Sequence, residues 1–201
     1  MSEKKHADPS ALGLFGLAMV TLVASSQKLG ITTGVSYIFP WAVFLGAAAQ
    51  IIAGVLDYKK LNVFGGTAFT AYGLFWLGVA VSWLINMGAL GPELQGGVDA
   101  NQLGFAYVGY LIMSLFLTVG AAETNKVLFF IFFLIDFLFV GLSISTFVPS
   151  GAIHTLFHNI AAVAELLIAL LSFYGSGANV LNNHFNKAFL PIGKPFGIFV
   201  K

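Results

Sequence analysis

The sequence predicts an all-α integral membrane protein with six transmembrane helices, and two observations carry that prediction. Hydrophobic residues make up 58% of the 201 residues and charged residues only 8%, whereas soluble domains contain roughly a quarter charged residues. The apolar residues also form six long runs, each close to the ~20 residues that a helix needs to cross the hydrocarbon core. Runs of this length favour helices over the ~10-residue alternating strands of a membrane barrel.

Polar or glycine-rich breaks separate the runs and set the predicted bounds. In chain order the predicted spans are Ala11–Gln27, Tyr37–Leu56, Thr67–Met87, Leu103–Ala121, Val127–Phe147 and His154–Tyr174. We expect one membrane domain over residues 1–201, with a segment 1–10 before the first span and a tail 181–201. Pro191 and Pro195 cannot continue the last helix. The longer loop Gly88–Gln102 carries acidic residues and no cation.

The distribution of lysines predicts the orientation of the chain. With six spans both termini lie on one side, and eight of the nine cations lie with them. Lys28 is the exception. The eight are Lys4, Lys5, Lys59, Lys60, Lys126, Lys187, Lys194 and Lys201. Because short cytoplasmic loops collect Lys and Arg, we expect cytoplasmic termini and a multi-pass protein of the plasma or inner membrane.

Several classes of function are disfavoured by the same sequence. A net charge of +1 without extended basic clusters argues against a nucleic-acid partner. Cysteine is absent, which excludes disulfides and thiolate metal sites. No nucleophile elbow or phosphate loop occurs, and His154 and His158 lack the glutamate that follows the first histidine of a zinc-protease helix. We therefore expect no enzyme activity, no cofactor and no metal.

The second span has one face of small and polar residues at helical spacing. Gly46, Gln50, Ala53, Gly54 and Asp57 share this face, which favours close helix packing. Gln50 is interpreted either as a hydrogen-bonding tie between helices or as a residue lining a solute path. Asp57, at the end of the span beside two lysines, is predicted to have a structural role.

Acidic residues within the last two spans are the candidates for proton coupling. A charge at the middle of a membrane helix costs roughly 2.5–3.5 kcal/mol, so Asp136 and Glu165 should face protein or water. Glu165 follows His158 by two turns on the same face, and the two groups could titrate together through water. The alternative is that these acids are neutral ties between helices.

One stretch is far more specific than these patterns. Residues 62–76 read NVFGGTAFTAYGLFW and resemble the signature N-x-F-G-x-T-x-F-x-x-Y-G-x-F-W of the acetate/succinate transporter family. Residues 46–60 are similar to the second helix of that family, residues 8–14 (DPSALGL) to its N-terminal NPAPLGL, and residues 190–193 to its C-terminal LPIG. The resemblance covers nearly the whole chain.

The resemblance implies passive or proton-coupled movement of acetate, with succinate as a second candidate, through protomers that form a hexameric ring. Family members narrow their path with three side chains, which fall here on Leu17, Tyr72 and Ile135. Tyr72 matches, Leu17 replaces the usual Phe and Ile135 the usual Leu. Asp8 for Asn and Ala11 for Pro are further departures. Polar candidates for the path wall are Gln50, Thr67 and Thr70.

Alternatives remain at this point. Phe69, Tyr72 and Trp76 share one helix face, and such aromatic stripes usually only pack between helices. The absence of arginine predicts that an anion is held loosely, which suits a conduit. A channel for a neutral solute such as urea or ammonia is the second transport hypothesis. A non-transporting scaffold that recruits partners through its Phe-rich fifth span is the third.

Overall fold

The computed structural model describes residues 7–199, and over that range it is helical with no strand. Six helices there are long and apolar enough to cross a membrane, which confirms the predicted fold class and a multi-pass membrane protein. The helices are α1 Ser10–Lys28, α2 Ile38–Lys59, α3 Val63–Asn86, α4 Pro92–Gly96, α5 Ala100–Ala121, α6 Lys126–Phe147 and α7 Gly151–Phe185. The short α4 lies in the longer loop, and the other helices are the spans.

The described chain ends lie at one end of the helix bundle together with most of the lysines. Lys60 contacts Asp8 at 3.6 Å, just before α1, and Lys126 packs against Gly193 in the tail. Lys28 ends α1 at the opposite end. Three of the lysines used for the orientation, Lys4, Lys5 and Lys201, lie outside the described residues, as does most of the predicted segment 1–10.

Side-chain caps explain where several spans begin. Side-chain oxygens accept backbone N–H groups of the first helical turn at 2.9–3.1 Å, which satisfies donors that are costly to leave unbonded near lipid. The caps are Asn62 before α3, Asp99 before α5 and Asn125 before α6. The predicted start of the third span at Thr67 was therefore one turn late, because the cap lies at Asn62.

A stretch of π-helix interrupts α2. It covers Ala42–Ala49, a run of mostly small side chains, and α-helical geometry resumes at Gln50. The wider turn changes the rotation of the residues that follow it. Gln50 is fully buried in the bundle.

The last span is longer than predicted and corrects two expectations. Instead of ending near Tyr174, α7 continues to Phe185 and ends at Asn186, which has the left-handed φ of 51°. Gly175 and Ser176, just beyond the predicted end of the span, are buried against α1. The Ser176 hydroxyl donates to the Ala11 carbonyl at 2.7 Å. The first residues of the predicted tail, from Leu181, are therefore helical.

After α7 the chain folds back onto the bundle. The side chain of Asn182 pairs with both backbone groups of Leu190 at 2.8 and 2.9 Å. The Val127 N–H donates to the Ile192 carbonyl at 3.1 Å, and the Phe196 N–H to the Ala122 carbonyl at 2.8 Å. The segment after Asn186 is thus hydrogen-bonded to the ends of α5 and α6.

The spans pack as a closed ring. Going round it, α1 contacts α2, α2 contacts α3, and α5, α6 and α7 follow before the ring returns to α1. The α3–α5 contact relies on side chains, including a Tyr110 hydroxyl that donates to the Ala71 carbonyl at 3.0 Å. Glycines allow the closest backbone approaches, as where Gly141 faces the Phe157 carbonyl across α6 and α7.

Candidate functional site

Two cavities lie inside the ring, one on each side of three side chains. The larger, here called the vestibule, has a volume of about 340 Å³ and lies where α1 begins and α2 ends. The small cavity, of about 20 Å³, lies farther along α1. Leu17, Tyr72 and Ile135 line both cavities, and we call these three residues the neck.

The neck joins residues from three helices at one level of the bundle. Leu17 on α1 is 6% exposed, Tyr72 on α3 is 5% exposed and Ile135 on α6 is 3% exposed. These are the three positions at which the family resemblance predicts a narrowing. Their action as a constriction stays a prediction, but the structure brings them together between two cavities.

The ring of Tyr72 is held at its edge and at its faces. Its hydroxyl lies 2.5 Å from the Ser114 hydroxyl on α5, and its ring lies 5.9 Å from that of Phe132 and 6.4 Å from that of Phe139. When Ser114 donates, the phenolic proton is free for a passing molecule. Sequence reasoning missed Ser114, because no local pattern pairs residues on distant helices.

Helix N-termini surround the vestibule. Its wall includes the first residue of α1, Ser10, and the N-cap residues of α3 and α6, Asn62 and Asn125. The start of a helix carries a partial positive charge and unpaired N–H groups, so this end of the bundle favours an anion. Toward the neck the wall becomes apolar, with Leu14, Phe69, Leu128 and Ile131.

Asp8 brings a negative charge to the same wall. Its carboxylate accepts the Ser10 N–H at 3.0 Å and lies 3.6 Å from the Lys60 ammonium. Partial burial acts to raise the pKa of Asp8, but the hydrogen bonds from Ser10 and the charge of Lys60 outweigh it and lower the pKa below its ordinary value of 3.8. Asp8 is therefore ionised at neutral pH.

Gln50 and Asp57 are buried polar residues of α2 on the vestibule wall. The Gln50 amide donates to the Gly46 carbonyl of its own helix at 2.8 Å, so it is not the tie between helices that one interpretation expected. Its oxygen has no hydrogen-bond partner among the described residues, and the same holds for both oxygens of Asp57. Lys60, one of the two lysines near Asp57 in the sequence, lies 3.6 Å from Asp8.

Thr67 and Thr70, also expected on the path, do not occur among the described residues that line the two cavities. The Thr67 hydroxyl pairs with that of Tyr58 at 2.9 Å. The Thr70 hydroxyl donates to the Gly66 carbonyl at 2.7 Å, on the face that packs against Gly54. Residues three or four apart share a helix face. Thr70 and Thr67 precede Tyr72 by two and five residues, so neither lies on the face that carries Tyr72.

The three residues expected to take part in proton coupling each have a hydrogen-bond or ion-pair partner on another helix, and their coupling stays a prediction. Glu165 forms an ion pair with Lys28, with 2.9 Å between Oε2 and Nζ, and does not contact His158 directly. His158 bonds the Lys28 carbonyl at 3.1 Å. Asp136 accepts the Thr118 hydroxyl at 2.7 Å and so links α6 to α5. Within residues 7–199, neither cavity is lined by any of these three.

The paired histidines of α7 bond the ends of neighbouring helices. Nδ1 of His154 lies 2.9 Å from the Ser145 carbonyl and 3.1 Å from that of Val148, at the end of α6. The His154 and His158 rings stack 5.7 Å apart. In the described part of the chain, no three His, Cys, Asp or Glu side chains come together as metal ligands would.

Comparison with known proteins places this arrangement among membrane transporters. Residues 1–193 match the model of the GPR1/FUN34/yaaH family. The succinate-acetate/proton symporter SatP of Escherichia coli (strain K12) is 35% identical over 195 residues, which is 96% of this chain and 99% of that protein. Ammonia transport outward protein 2 of Saccharomyces cerevisiae is 30% identical over 180 residues, 88% of this chain and 62% of that protein.

A solved structure has the same fold. It is the structure of the bacterial acetate channel SatP, with a TM-score of 0.84 and 36% sequence identity. The match covers 94% of this chain and 100% of that one. These relatives are transporters or channels, and none of these names is that of an enzyme.

Proposed function

The chain belongs to the GPR1/FUN34/yaaH family, and from that membership we propose that it carries acetate across the membrane, with succinate as a second substrate. The observation that supports this proposal is the neck, which brings the three expected residues between two cavities. Names of relatives point the same way, since they include a succinate-acetate/proton symporter and an acetate channel.

The chemistry of the path suits a short carboxylate. Helix N-termini at the vestibule attract the charged end, and the apolar walls before the neck accept the methyl end. At the neck, the Tyr72 hydroxyl offers a hydrogen bond between two aliphatic side chains. Without arginine, no bidentate clamp holds the anion, so release stays fast.

The vestibule faces the cytoplasm in this proposal. The end of the bundle that holds it also holds the described chain ends and Lys60 and Lys126, as the positive-inside rule requires of a cytoplasmic face. We also propose a hexameric assembly of protomers, each with its own path. The exposed apolar surface of α5 and α6, which includes Phe105, Phe116 and Phe133, is available for contacts between protomers as well as for lipid. Native mass spectrometry in mild detergent tests the subunit number.

Proton coupling belongs to the same proposal, and the geometry favours Asp57 over Glu165, His158 or Asp136. A coupling carboxyl must exchange protons with the path, and Asp57 lines the vestibule with both oxygens unpartnered among the described residues. Asp57→Asn should abolish acetate accumulation driven by a pH gradient while downhill exchange persists. If the Asp57→Asn variant accumulated acetate as wild type does, Asp57 would have no part in proton coupling and only a structural role.

The main test is acetate flux into proteoliposomes that contain the purified protein, followed with radiolabelled acetate. Wild type should carry acetate, and Leu17→Ala should raise the flux several-fold by widening the neck. Leu22→Ala is the matched control, because Leu22 lies on the same helix but is 36% exposed on its outer surface. Absence of wild-type flux would refute the proposal.

Ammonia is the second candidate, because one relative is named for outward ammonia transport. If ammonia is carried, an ammonium gradient should change the pH of the vesicle lumen faster with the protein than without it. Added acetate should not slow that change. Vesicles that pass neither solute would favour the scaffold hypothesis.

A further inference from the structure

An ion pair joins α1 to α7 beyond the small cavity. Thr21 of α1 and Ile168 of α7 line that cavity. Lys28 lies two turns after Thr21 on α1, and Glu165 lies one turn before Ile168 on α7. The helices run antiparallel, since Ser176 bonds near the start of α1 and His158 near its end. The pair thus lies on the path side opposite the vestibule.

The two charges differ in their access to solvent. The side chain of Lys28 is 16% exposed and that of Glu165 only 2% exposed. Lys28 ends its helix at the far surface, and its ammonium extends back toward the small cavity to reach Glu165. The pair therefore lies between the level of the small cavity and the far surface, outside the lining of that cavity, with the cation toward solvent and the acid behind it.

A structural tie between these helices does not require charge. The Ser176 hydroxyl already links α7 to α1 through a neutral hydrogen bond. Two buried charges carry a desolvation penalty, and replacing such a pair by well-packed hydrophobic residues of similar volume is often neutral or stabilising. A buried pair at the end of a path for an anion therefore calls for a role that needs the charge.

We propose that the Lys28–Glu165 pair is the outer gate of the carboxylate path, and that Lys28 is the residue that binds the substrate carboxylate there. This inference rests on the proposed transport of acetate. An arriving carboxylate takes the place of Glu165 on the Lys28 ammonium, and Glu165 takes it back when the substrate leaves. The Lys28 ammonium is therefore paired with a carboxylate at every stage. Competition from Glu165 prevents Lys28 from holding the substrate so tightly that flux would stop.

Opposite effects of the two neutral variants are the signature of this gate. Glu165→Gln removes the competing acid, so the KM for external acetate falls about three- to tenfold and the maximal rate also falls, because release is slower. Lys28→Met removes the substrate ligand, so the KM rises about tenfold. If the pair only tied the two helices together, both variants would destabilise the protein, and the KM would not move in opposite directions.

The double variant Lys28→Met with Glu165→Gln keeps the test valid if a single variant fails to fold, since it leaves no unpaired buried charge. It should fold and carry acetate with a KM raised as in Lys28→Met. Lys187→Met and Glu93→Gln are matched controls at exposed positions in the tail and in α4, and both should match wild type.

The outcomes separate the two proposals. Wild type without acetate flux refutes the proposed function itself. Wild type with flux, combined with a double variant whose KM is that of wild type or with single variants that shift the KM in the same direction, overturns the gate alone.

Discussion

At the scale of single residues, one serine determines how the neck tyrosine is held. The hydroxyl of Ser114 on α5 fixes the edge of the Tyr72 ring, while aromatic neighbours on α6 fix its faces. A neck of this kind selects by shape only as long as the ring keeps one orientation.

Ser114→Ala should therefore lower the selectivity of transport at only a small cost in the stability of the protein. The lost hydrogen bond is worth about 1 kcal/mol, so the ratio of acetate to succinate flux should fall on the order of threefold as the ring gains freedom. Paired uptake measurements in proteoliposomes check this ratio. Ser82→Ala is the control, because Ser82 is half-buried on α3 and its hydroxyl bonds the Gly78 carbonyl of its own helix. An unchanged ratio for Ser114→Ala would contradict the role of the hydroxyl.

Asp8 allows a prediction about pH. Because its pKa is lowered below 3.8, the carboxylate stays ionised between about pH 5 and 8 and repels an anion throughout. Asp8→Asn keeps the oxygen that accepts the Ser10 N–H and should raise acetate flux about twofold, by a factor that stays constant over this range and disappears only in stronger acid. A factor that changes between pH 5 and 8 would show that Asp8 titrates there.

The sequence predicts some of these residues and not others. Motif position predicted one narrowing at Leu17, Tyr72 and Ile135, and the structure brings these three residues together between two cavities; their action as a constriction stays a prediction. Ser114 and the partner of Glu165 were missed, since each contact joins residues far apart in the chain. Local spacing suggested His158 for Glu165 because spacing relates only residues on one helix.

At the scale of helices, close backbone contact holds α6 to α7. A Cβ atom added to Gly141 would lie 2.6 Å from the Phe157 carbonyl oxygen and 2.8 Å from the Cβ of Ala161. Backbone and a short rigid side chain cannot move aside as a long side chain would. The helices must separate to accept it.

Gly141→Ala should destabilise the protein by about 1–3 kcal/mol, as overpacking of a tight contact does. Gly109→Ala on α5 is the matched control, because open space surrounds that position and alanine favours the helix. Thermal unfolding in detergent, monitored by size-exclusion chromatography, compares the two. Equal melting temperatures would mean that α6 and α7 tolerate a wider spacing.

Hydropathy predicted the existence of the six spans but not all of their ends. A run of apolar residues shows the part of a helix in lipid, whereas caps such as Asn62 and contacts such as that of Ser176 decide where the helix begins and ends. For this reason α3 began earlier and α7 ended later than expected. The π-helical stretch in α2 left no recognisable sign in the sequence.

At the scale of the whole molecule, the even number of spans determines which surfaces share a side of the membrane. Both described chain ends and the vestibule lie together, and α4 lies at the other end. The chain has no cysteine, so a single introduced thiol reports its own position without further changes.

Glu93→Cys and Lys187→Cys should react with an impermeant maleimide from opposite sides of sealed cells. Glu93 on α4 should be labelled from outside, and Lys187 only after permeabilisation. Both side chains are exposed, so failure to react would not come from burial. Labelling of both from the same side would contradict an arrangement with six crossings.

The segment that follows α7 has a practical consequence. Ile192 belongs to the vestibule wall, and Glu123 accepts the N–H groups of Ile198 and Phe199 at 2.7 and 2.9 Å. An affinity tag or fluorescent reporter fused at this end would therefore disturb the wall of the vestibule. A purification tag inserted in the α4 loop would leave the vestibule unchanged, and the difference in acetate uptake between the two placements would measure that disturbance.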